Sequence, residues 1–242
     1  MTMSVRLPRV FSAPAAALAI VAACATPAPP EPSPHNTLTA AERDGGWRLL
    51  FDGATLDGWR GYDSEQVPDG WRVEEGTLHL AGGGGDIVTR DAFANFELSL
   101  DWRIADGGNS GIFYRAELGS EAIFMSAPEM QVLDDAGHPN GQDPLTAAGS
   151  NFGLYAAPGG VVRPAGEWNH ARIVVEGDRV EHWLNGERVV EYTLGSPEWA
   201  ELVRNSKFND WPEYGTARSG HIGLQDHGDP VWYRDIKIRV IG

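Results

Sequence analysis

The sequence predicts an all-β protein, folded as an antiparallel β-sandwich or jelly roll with one short helix. Many short segments alternate apolar and polar residues, which is the pattern of strands with one buried face. The 242 residues include 30 glycines, and glycine-containing turns separate these segments at short intervals. Such tight turns favour antiparallel neighbours, because parallel strands need longer crossovers.

The predicted strands follow one another along most of the chain. They are 71–74, 77–80, 96–104, 111–117, 128–134, 171–176, 179–184, 187–192, 220–225 and 232–240. Glu75-Gly76 and Gly177-Asp178 are expected to close two hairpins, and Asn185-Gly186 suits a type I′ turn, in which both residues have positive φ. Only residues 197–207 show the spacing of a helix.

The first 24 residues are typical of a bacterial lipoprotein signal. Arg6 and Arg9 precede an apolar, alanine-rich stretch that is too short for a comfortable membrane span. Residues 21–24 fit the lipobox, in which small residues precede a cysteine whose thiol is diacylated. We expect a signal peptide at 1–23, lipidation at Cys24, and an exported lipoprotein anchored to a membrane on the periplasmic or outer-membrane face. An ordinary cleaved signal with an incidental cysteine is the alternative.

The rest of the chain is predicted to form a proline-rich tether at 24–44 and a single domain at 45–242. Five prolines between residues 25 and 34 favour an extended, stiff segment. The chain has one cysteine, so no intrachain disulfide forms. Its 34 acidic and 19 basic residues give a net charge of −15, which repels phosphate backbones. Nucleic acid is therefore not expected as a partner, whereas neutral sugars are compatible with this charge.

The strand around Glu129 carries one candidate group of site residues. Alternation places Glu129 and Gln131 on one face and Met130 and Val132 on the other. A carboxylate and an amide side by side between apolar residues suggest the polar floor of a concave sheet. A solvent-facing sheet edge is the alternative.

A second group lies near the C-terminus, where His221, Gly223, Gln225 and His227 fall on one face of a strand. Histidine acts as a general acid or base near neutral pH, or as a metal ligand. A divalent metal is thus a possible cofactor, although the sequence shows no ligand set for it. His227 is close to a turn, so it could equally be an incidental loop residue.

A third group comes from the segment 109–115, where Asn109 and Arg115 alternate on the face of Gly111. Arginine could hold a substrate hydroxyl or polarise a carbonyl, and a salt bridge is the alternative. Among the nine tryptophans, Trp211 lies in a loop and is the best candidate to stack against a sugar at the rim of a cleft.

These segments together resemble the 3-keto-disaccharide hydrolase family. The resemblance extends over essentially all of 45–242 and rests on several stretches in order. They are Gly46-Trp47 to Trp59, Gly108 to Ile112, Glu129 to Asp134, Gly166 to Asn169, Val180 to Gly186, Gly195 to Trp199, Ser206 to Phe208, and Gly220 to Pro230 with Trp232. It implies a concanavalin-like or laminin-G-like jelly roll that cleaves glycosides already oxidised to a ketone at C3.

The chemistry implied by this resemblance follows from the ketone, which acidifies the C2 proton. A base removes that proton, and the group at C1 leaves by β-elimination. We assign Glu129 or His221 as the base, Arg115 and Gln131 as stabilisers or substrate binders, and His227 as the acid. A divalent metal could stabilise the enolate instead. This assignment requires Glu129, Arg115 and His221 to converge in one hollow on the sheet.

Three other functions remain open. The domain could be a non-catalytic carbohydrate-binding module, because a fold of this kind does not settle function. It could be a conventional retaining glycosidase, since 129–134 faintly matches a Glu-x-Asp-x-x-Glu pattern, with Gln131 and Asp134 replacing two of the acids. It could also be a surface lipoprotein without a ligand.

Overall fold

The computed structural model describes residues 1–2 and 35–242. The predicted signal peptide, the lipidation at Cys24 and most of the predicted tether therefore lie outside the described residues. Within the described part of the chain, no helix is long and apolar enough to cross a membrane.

The described domain consists of two antiparallel sheets, which confirms the predicted all-β sandwich. The eight-stranded sheet contains β1 (Trp47–Leu49), β3 (Trp71–Glu74), β4 (Thr77–Leu80), β6 (Phe96–Ile104), β9 (Asn169–Glu176), β10 (Arg179–Leu184), β11 (Glu187–Thr193) and β13 (Val231–Val240). The five-stranded sheet contains β2 (Trp59–Gly61), β5 (Ile87–Phe93), β7 (Asn109–Ala116), β8 (Glu129–Leu133) and β12 (Gly220–Leu224). The strand order is β11-β10-β9-β6-β13-β4-β3 in the first sheet, with β1 also paired to β13, and β2-β5-β12-β7-β8 in the second.

The predicted hairpins are present. β3 pairs with β4, and β10 pairs with both β9 and β11. Asn185 and Gly186 have φ values of 50° and 88°, which is the pair of positive angles that a type I′ turn requires. These short connections keep the hairpin strands adjacent and antiparallel.

The core lies between the two sheets and is built by strand alternation. In β9, every second residue from Ala171 to Val175 is buried, and its neighbours are more exposed. Trp102 and Tyr233 from the eight-stranded sheet, and Ile112 and Met130 from the five-stranded sheet, belong to one buried cluster. Truncating a large side chain of such a core to alanine costs about 3–5 kcal/mol.

Two short α-helices accompany the sheets, α1 (Ala40–Asp44) and α2 (Pro197–Arg204). The sequence predicts one helix over 197–207. The observed one begins after Ser196, whose side chain accepts from the backbone of Trp199, and ends three residues earlier. The helix α1 falls within the segment predicted as tether, where Thr39 and Glu42 cap each other reciprocally.

Residues before α1 also contact the sandwich. The Asn36 side chain donates to the carbonyl of Gly76 at 2.8 Å and accepts from the backbone of Asp235 at the same distance. The end of the segment predicted as tether is therefore fixed to the sheet by hydrogen bonds.

The five-stranded sheet has a second face that points away from the core. A 3₁₀ turn at Ile123–Met125 covers part of this face. Beneath it lies a small apolar cluster, formed by Tyr62, Val88, Phe113, Ala116, Ile123 and Ala127. The functional site lies on the rest of this outer face.

Candidate functional site

A cleft of about 170 Å³ opens on the outer face of the five-stranded sheet. Its lining residues are Asn109, Phe124, Glu129, Gln131, Asn140, Phe152, Lys207, Gln225 and His227. Five of the predicted site residues are among them, namely Asn109, Glu129, Gln131, Gln225 and His227. They come from three separate stretches of the chain, so polar groups from distant segments do meet in one hollow.

The strand register explains why these side chains meet. Gly111 on β7 pairs with Gln131 on β8, and the Gln225 backbone donates to the Gly111 carbonyl at 3.0 Å. On the other side of Gln225, the Asp226 N–H donates to Asp86 Oδ1 at 2.8 Å, just before β5. Gln131, Gly111, Gln225 and Asp86 therefore form one row across four strands.

Glu129 is the buried carboxyl of the cleft. Glu129 as a whole is only 6 % exposed. A Cβ atom built on Gly111 would lie 2.0 Å from Glu129 Oε1, so the carboxyl occupies the space that a side chain at position 111 would fill. In the described part of the chain, this carboxyl has no hydrogen-bond or ion-pair partner.

This environment changes the acidity of Glu129. Burial raises the pKa of its carboxyl to about 8, because the charged form loses hydration. The positive charge of Lys207 opposes this rise, and the negative charge of Asp86 adds to it. Glu129 can therefore accept or donate a proton near neutral pH.

Amide groups surround Glu129 in the cleft. The Gln131 side-chain N–H donates to Asn109 Oδ1 at 3.4 Å. The side-chain oxygens of Gln131 and Gln225 are buried, and neither has a partner among the described residues. Buried polar atoms are normally satisfied, so these two oxygens are available to accept hydrogen bonds from ligand hydroxyls.

His227 lies at the rim of the cleft, in the loop after β12. Its side chain is half exposed, and Nδ1 is 3.9 Å from Asp229 Oδ2. The same Asp229 oxygen accepts from the Asn109 backbone at 3.0 Å. Asp229 thus connects the loop of His227 to the strand that forms the floor of the cleft.

Lys207, Phe124 and Phe152 form another wall, and the core residue Phe208 also lies beside Lys207. The Lys207 ammonium lies 4.7 Å from the ring centre of Phe152, 5.2 Å from Phe208 and 5.4 Å from Phe124. No carboxylate of the described residues lies within ion-pair distance of Lys207. Its charge is therefore free to act on a ligand in the cleft.

Sequence reasoning missed Lys207, Phe124, Phe152 and Asn140 as lining residues. One signal for Lys207 was available, because the chain contains only two lysines and this one is the last residue of the predicted helix. Phe152 reaches the cleft because its backbone donates to the Glu129 carbonyl at 3.1 Å, which fixes the segment beside β8. That contact is between distant segments and leaves no local pattern.

Arg115 does not converge with Glu129, contrary to the prediction. It is 3 % exposed, and its guanidinium donates to the backbone carbonyls of Ala94 and Gly177, at 2.7 Å and 2.8 Å. The pairing of β7 with β12 is irregular at this point, and Arg115 has a φ of 53°. This β-bulge interrupts the alternation on which the prediction relied.

His221 and Trp211 are also absent from the lining of the cleft. His221 Nδ1 hydrogen-bonds the Thr89 carbonyl at 2.7 Å, at the far end of β12 beyond the same irregularity. Trp211 packs edge-on against Phe124, with ring centres 5.3 Å apart. Trp211 therefore supports a wall residue of the cleft from behind.

The possible divalent metal finds no ligand set in the described residues. Across residues 35–242, no three side chains of His, Cys, Asp or Glu are grouped as a metal site would require.

A second hollow of about 420 Å³ lies beside Asp86, at the end of the row of residues that begins in the cleft. Tyr62, Asp63, Ser64 and Asp86 are among its lining residues. Asp86 links the two spaces, because it belongs to the row that runs through Gln225. Burial raises the pKa of Asp86 to about 6, although a backbone hydrogen bond from Asp226 opposes the rise.

Known proteins with a similar sequence or fold cover most of this chain. A 3-keto-disaccharide hydrolase of Bacteroides thetaiotaomicron is 38% identical over 246 aligned positions, which cover 85% of each chain. A solved structure from Parabacteroides distasonis, named a candidate glycosyl hydrolase, is 34% identical with a TM-score of 0.82, covering 86% of this chain and all of that one. A second structure from that organism is 29% identical, with a TM-score of 0.66, over 81% and 99% of the two chains.

The family model described as the 3-keto-alpha-glucoside-1,2-lyase-like domain matches residues 46–239. This match covers the described domain from β1 to β13 and contains every residue that lines the cleft. The protein therefore belongs to the 3-keto-alpha-glucoside-1,2-lyase-like family.

Proposed function

We propose that the protein is a glycoside hydrolase that cleaves 3-keto-glycosides in this cleft, with Glu129 as the base that takes the C2 proton. The observation that carries the proposal is the Glu129 carboxyl, which is buried, lacks a partner among the described residues and has a pKa raised to about 8. Family membership and the name of the Bacteroides thetaiotaomicron relative support a glycoside-cleaving enzyme.

Cleavage proceeds by elimination at C1 followed by addition of water. Glu129 takes the C2 proton, and the electron pair of that C–H bond forms an enolate with the C3 ketone. The enolate then re-forms the ketone while a C1–C2 double bond forms and the C1–O bond breaks. The leaving oxygen takes a proton from an acid. Addition of water, with OH at C1 and H at C2, gives net hydrolysis.

Lys207 and the cleft amides suit the stabilisation of the enolate. A cation placed where negative charge develops lowers the barrier, especially in a site that excludes water. Lys207 has no carboxylate of the described chain to neutralise it. The Gln131 and Gln225 side chains can orient the sugar hydroxyls through hydrogen bonds. Lys207 replaces Arg115 in our assignment, because Arg115 lies outside the cleft.

His227 suits the role of the acid at the leaving oxygen. It lies at the open rim, where a leaving group could depart, and its Nδ1 is 3.9 Å from Asp229 Oδ2. His221 has no role in the cleft in this proposal, because it is absent from the lining.

A conventional two-carboxylate glycosidase has less support. That mechanism needs a second carboxyl across the scissile bond, at about 5–9.5 Å from the first. Glu129 is the single carboxyl among the residues that line the cleft. Asp134 accepts from the backbones of Gly107 and Ala136, at 2.8 Å and 3.2 Å, and so serves the adjoining turns.

The hollow beside the cleft offers space for the second sugar ring. The cleft itself is small, and the neighbouring 420 Å³ hollow continues the same row of polar residues. Carboxylates such as Asp86 accept hydrogen bonds from pairs of sugar hydroxyls. We therefore place the oxidised ring over Glu129 and the departing ring toward Asp86.

The test compares a plain disaccharide with its 3-keto form. The purified protein is incubated with each compound, and released sugar is measured by chromatography. Release from the keto form alone is expected. Binding without release would favour the carbohydrate-binding module, and equal release from the plain disaccharide would favour a conventional glycosidase. Failure to bind either sugar would favour a lipoprotein without a carbohydrate ligand.

We also propose that the protein is exported and anchored to a membrane through Cys24. The support is the signal-like composition of 1–23 and the lipobox ending at Cys24. The test is expression of the full chain and of Cys24→Ser in a Gram-negative host. We expect the wild type in the membrane fraction, and the variant to lose the acyl label. An unmodified Cys24 in the mature protein would contradict the proposal.

A further inference from the structure

A pocket of about 450 Å³ lies apart from the cleft, between α2, the segment that follows it and the edge of the sandwich. Arg115, Arg204, Arg218, Asp178, Trp199 and Tyr214 are among its lining residues. We propose that this pocket binds the carboxylate or phosphate group of a small anionic molecule. The proposal is independent of the proposed function of the cleft.

Arg115 is the first observation behind this proposal. It is a buried arginine, and in the described chain its guanidinium contacts neutral oxygens only, those of Ala94, Gly177 and Asn95. Its Nη1 atom is buried and has no hydrogen-bond partner among residues 35–242. A buried charge without a counter-ion is strongly unfavourable. An anion in the pocket would supply the missing charge.

The charges around Arg115 strengthen this conclusion. Burial lowers the pKa of Arg115, and the positive charge of Arg218 lowers it further. Asp178 is the acid among the pocket's lining residues, and it pairs with Arg218. Arg204 has no ion-pair partner among the described residues. Three arginines against one aspartate make the pocket positive in a chain whose net charge is −15.

The pocket also has a firm wall and a further free donor. Tyr214 stacks on Trp199 with parallel rings and centres 5.7 Å apart, and on Phe208 at 4.0 Å. The Tyr214 hydroxyl is buried without a partner in the described chain. Arg115 itself has a positive φ, an unfavourable conformation for a side chain of its size. A ligand that accepts from both groups would satisfy two orphaned donors at once.

The geometry of the donors favours an oxyanion. Guanidinium groups bind carboxylate and phosphate through paired N–H···O bonds, and such charge-assisted bonds are roughly twice as strong as neutral ones. A tyrosine hydroxyl can donate a further bond to the same anion. The volume is sufficient for a molecule of monosaccharide size.

Isothermal titration of the purified full chain with three probes tests the proposal. D-Glucuronate carries a carboxylate, glucose 6-phosphate carries a phosphate, and glucose carries neither. We expect at least one anionic probe to bind, and to bind more tightly than glucose. We expect Arg218→Gln to weaken this binding about tenfold, because one charge-assisted contact is lost, and Arg115→Met to abolish it.

Two control variants separate this pocket from other positive groups. Arg48, like Arg218, is exposed and forms an ion pair, in this case with Asp91, so Arg48→Gln is a matched control and should leave binding unchanged. Lys207→Met removes the cation of the cleft and should also leave it unchanged. Arg218 is exposed, so Arg218→Gln remains decisive if Arg115→Met fails to fold. The proposal is wrong if neither anion binds more tightly than glucose. It is also wrong if Lys207→Met weakens binding of the anion and Arg218→Gln does not.

Discussion

The Glu129 carboxyl lies directly over Gly111, at a distance that leaves no room for a Cβ atom at position 111. Strand pairing brings Gly111 beside Gln131, so the bare backbone of β7 forms the floor on which Glu129 rests. The absence of a side chain at this one position therefore sets where the proposed base stands.

Gly111→Ala should reduce activity without unfolding the protein. Gly111 has no positive φ, so alanine adds a methyl group without backbone strain and displaces the Glu129 carboxyl. A misplacement of about 1 Å can cost about 10²-fold in rate. We expect a fall of that size in kcat on a 3-keto-disaccharide, measured together with the circular dichroism spectrum. Gly159→Ala, which has open space around it, is the matched control and should keep full activity.

The floor of this cleft was predictable from sequence because regular strands have a period of two. The side chains of Glu129 and Gln131 lie on the face of the sheet that carries the cleft, while those of Met130 and Val132 enter the core, as alternation requires. Gln225, directly after β12, follows the same rule. In these segments, local pattern and tertiary structure agree.

The prediction failed where a strand departs from that period. The bulge near Arg115 turns its side chain toward Ala94 and Gly177, and the irregularity in β12 separates His221 from the cleft. Neither feature has a local sequence signal, because arginine rarely adopts a positive φ. Lys207 was missed for another reason, since the 3₁₀ turn Lys207–Asp210 brings it to the cleft only through tertiary packing.

The pH dependence of the reaction should report the raised pKa of Glu129. A base must be ionised, so on a 3-keto-glucoside whose leaving group needs no acid, such as 4-nitrophenolate, kcat/KM should rise with pH and level off above about pH 8. Lys207→Met removes an attraction that lowers this pKa, so the midpoint of the profile should move to higher pH. Lys237→Met alters the other lysine, which pairs with Glu42, and should leave the midpoint unchanged. A rate that falls as pH rises through 8 would assign Glu129 as an acid.

The same pKa predicts how stability changes with pH. The ordinary pKa of glutamate is 4.5, and the folded value is about 8. Between these values the unfolded chain is ionised while folded Glu129 retains its proton. The contribution of Glu129 to stability is therefore complete below about pH 4.5 and is lost as pH rises to about 8.

Glu129→Gln should remove this part of the pH dependence. We expect the difference in unfolding free energy between pH 6.5 and pH 8, from urea titrations, to shrink in the variant. The buried His182, whose pKa burial lowers to about 4, contributes equally in the wild type and the variant, so its effect cancels in this comparison. Glu121→Gln, at an exposed position, should behave as the wild type. An unchanged difference in Glu129→Gln would show that its carboxyl is not held protonated.

Replacing Asp86 should raise KM for a substrate with a second sugar ring more than KM for a substrate without one. Asp86→Asn keeps an oxygen for the Asp226 N–H but weakens hydrogen bonds from sugar hydroxyls. We expect KM for a 3-keto-disaccharide to rise about tenfold, which corresponds to about 1.4 kcal/mol. The KM for a methyl 3-keto-glucoside should stay the same. An equal effect on both substrates would place the second ring elsewhere.

Proton abstraction at C2 by Glu129 is tested most directly by cleavage of a 3-keto-glucoside in D₂O, followed by NMR at C2. We expect the wild type to release the leaving group and to give a product with deuterium at C2. The rate of cleavage should be at least about 10²-fold lower in Glu129→Gln, because the general base is removed. The variant should keep its fold. Cleavage by Glu129→Gln at the wild-type rate, with deuterium still entering C2, would show that another group takes the proton.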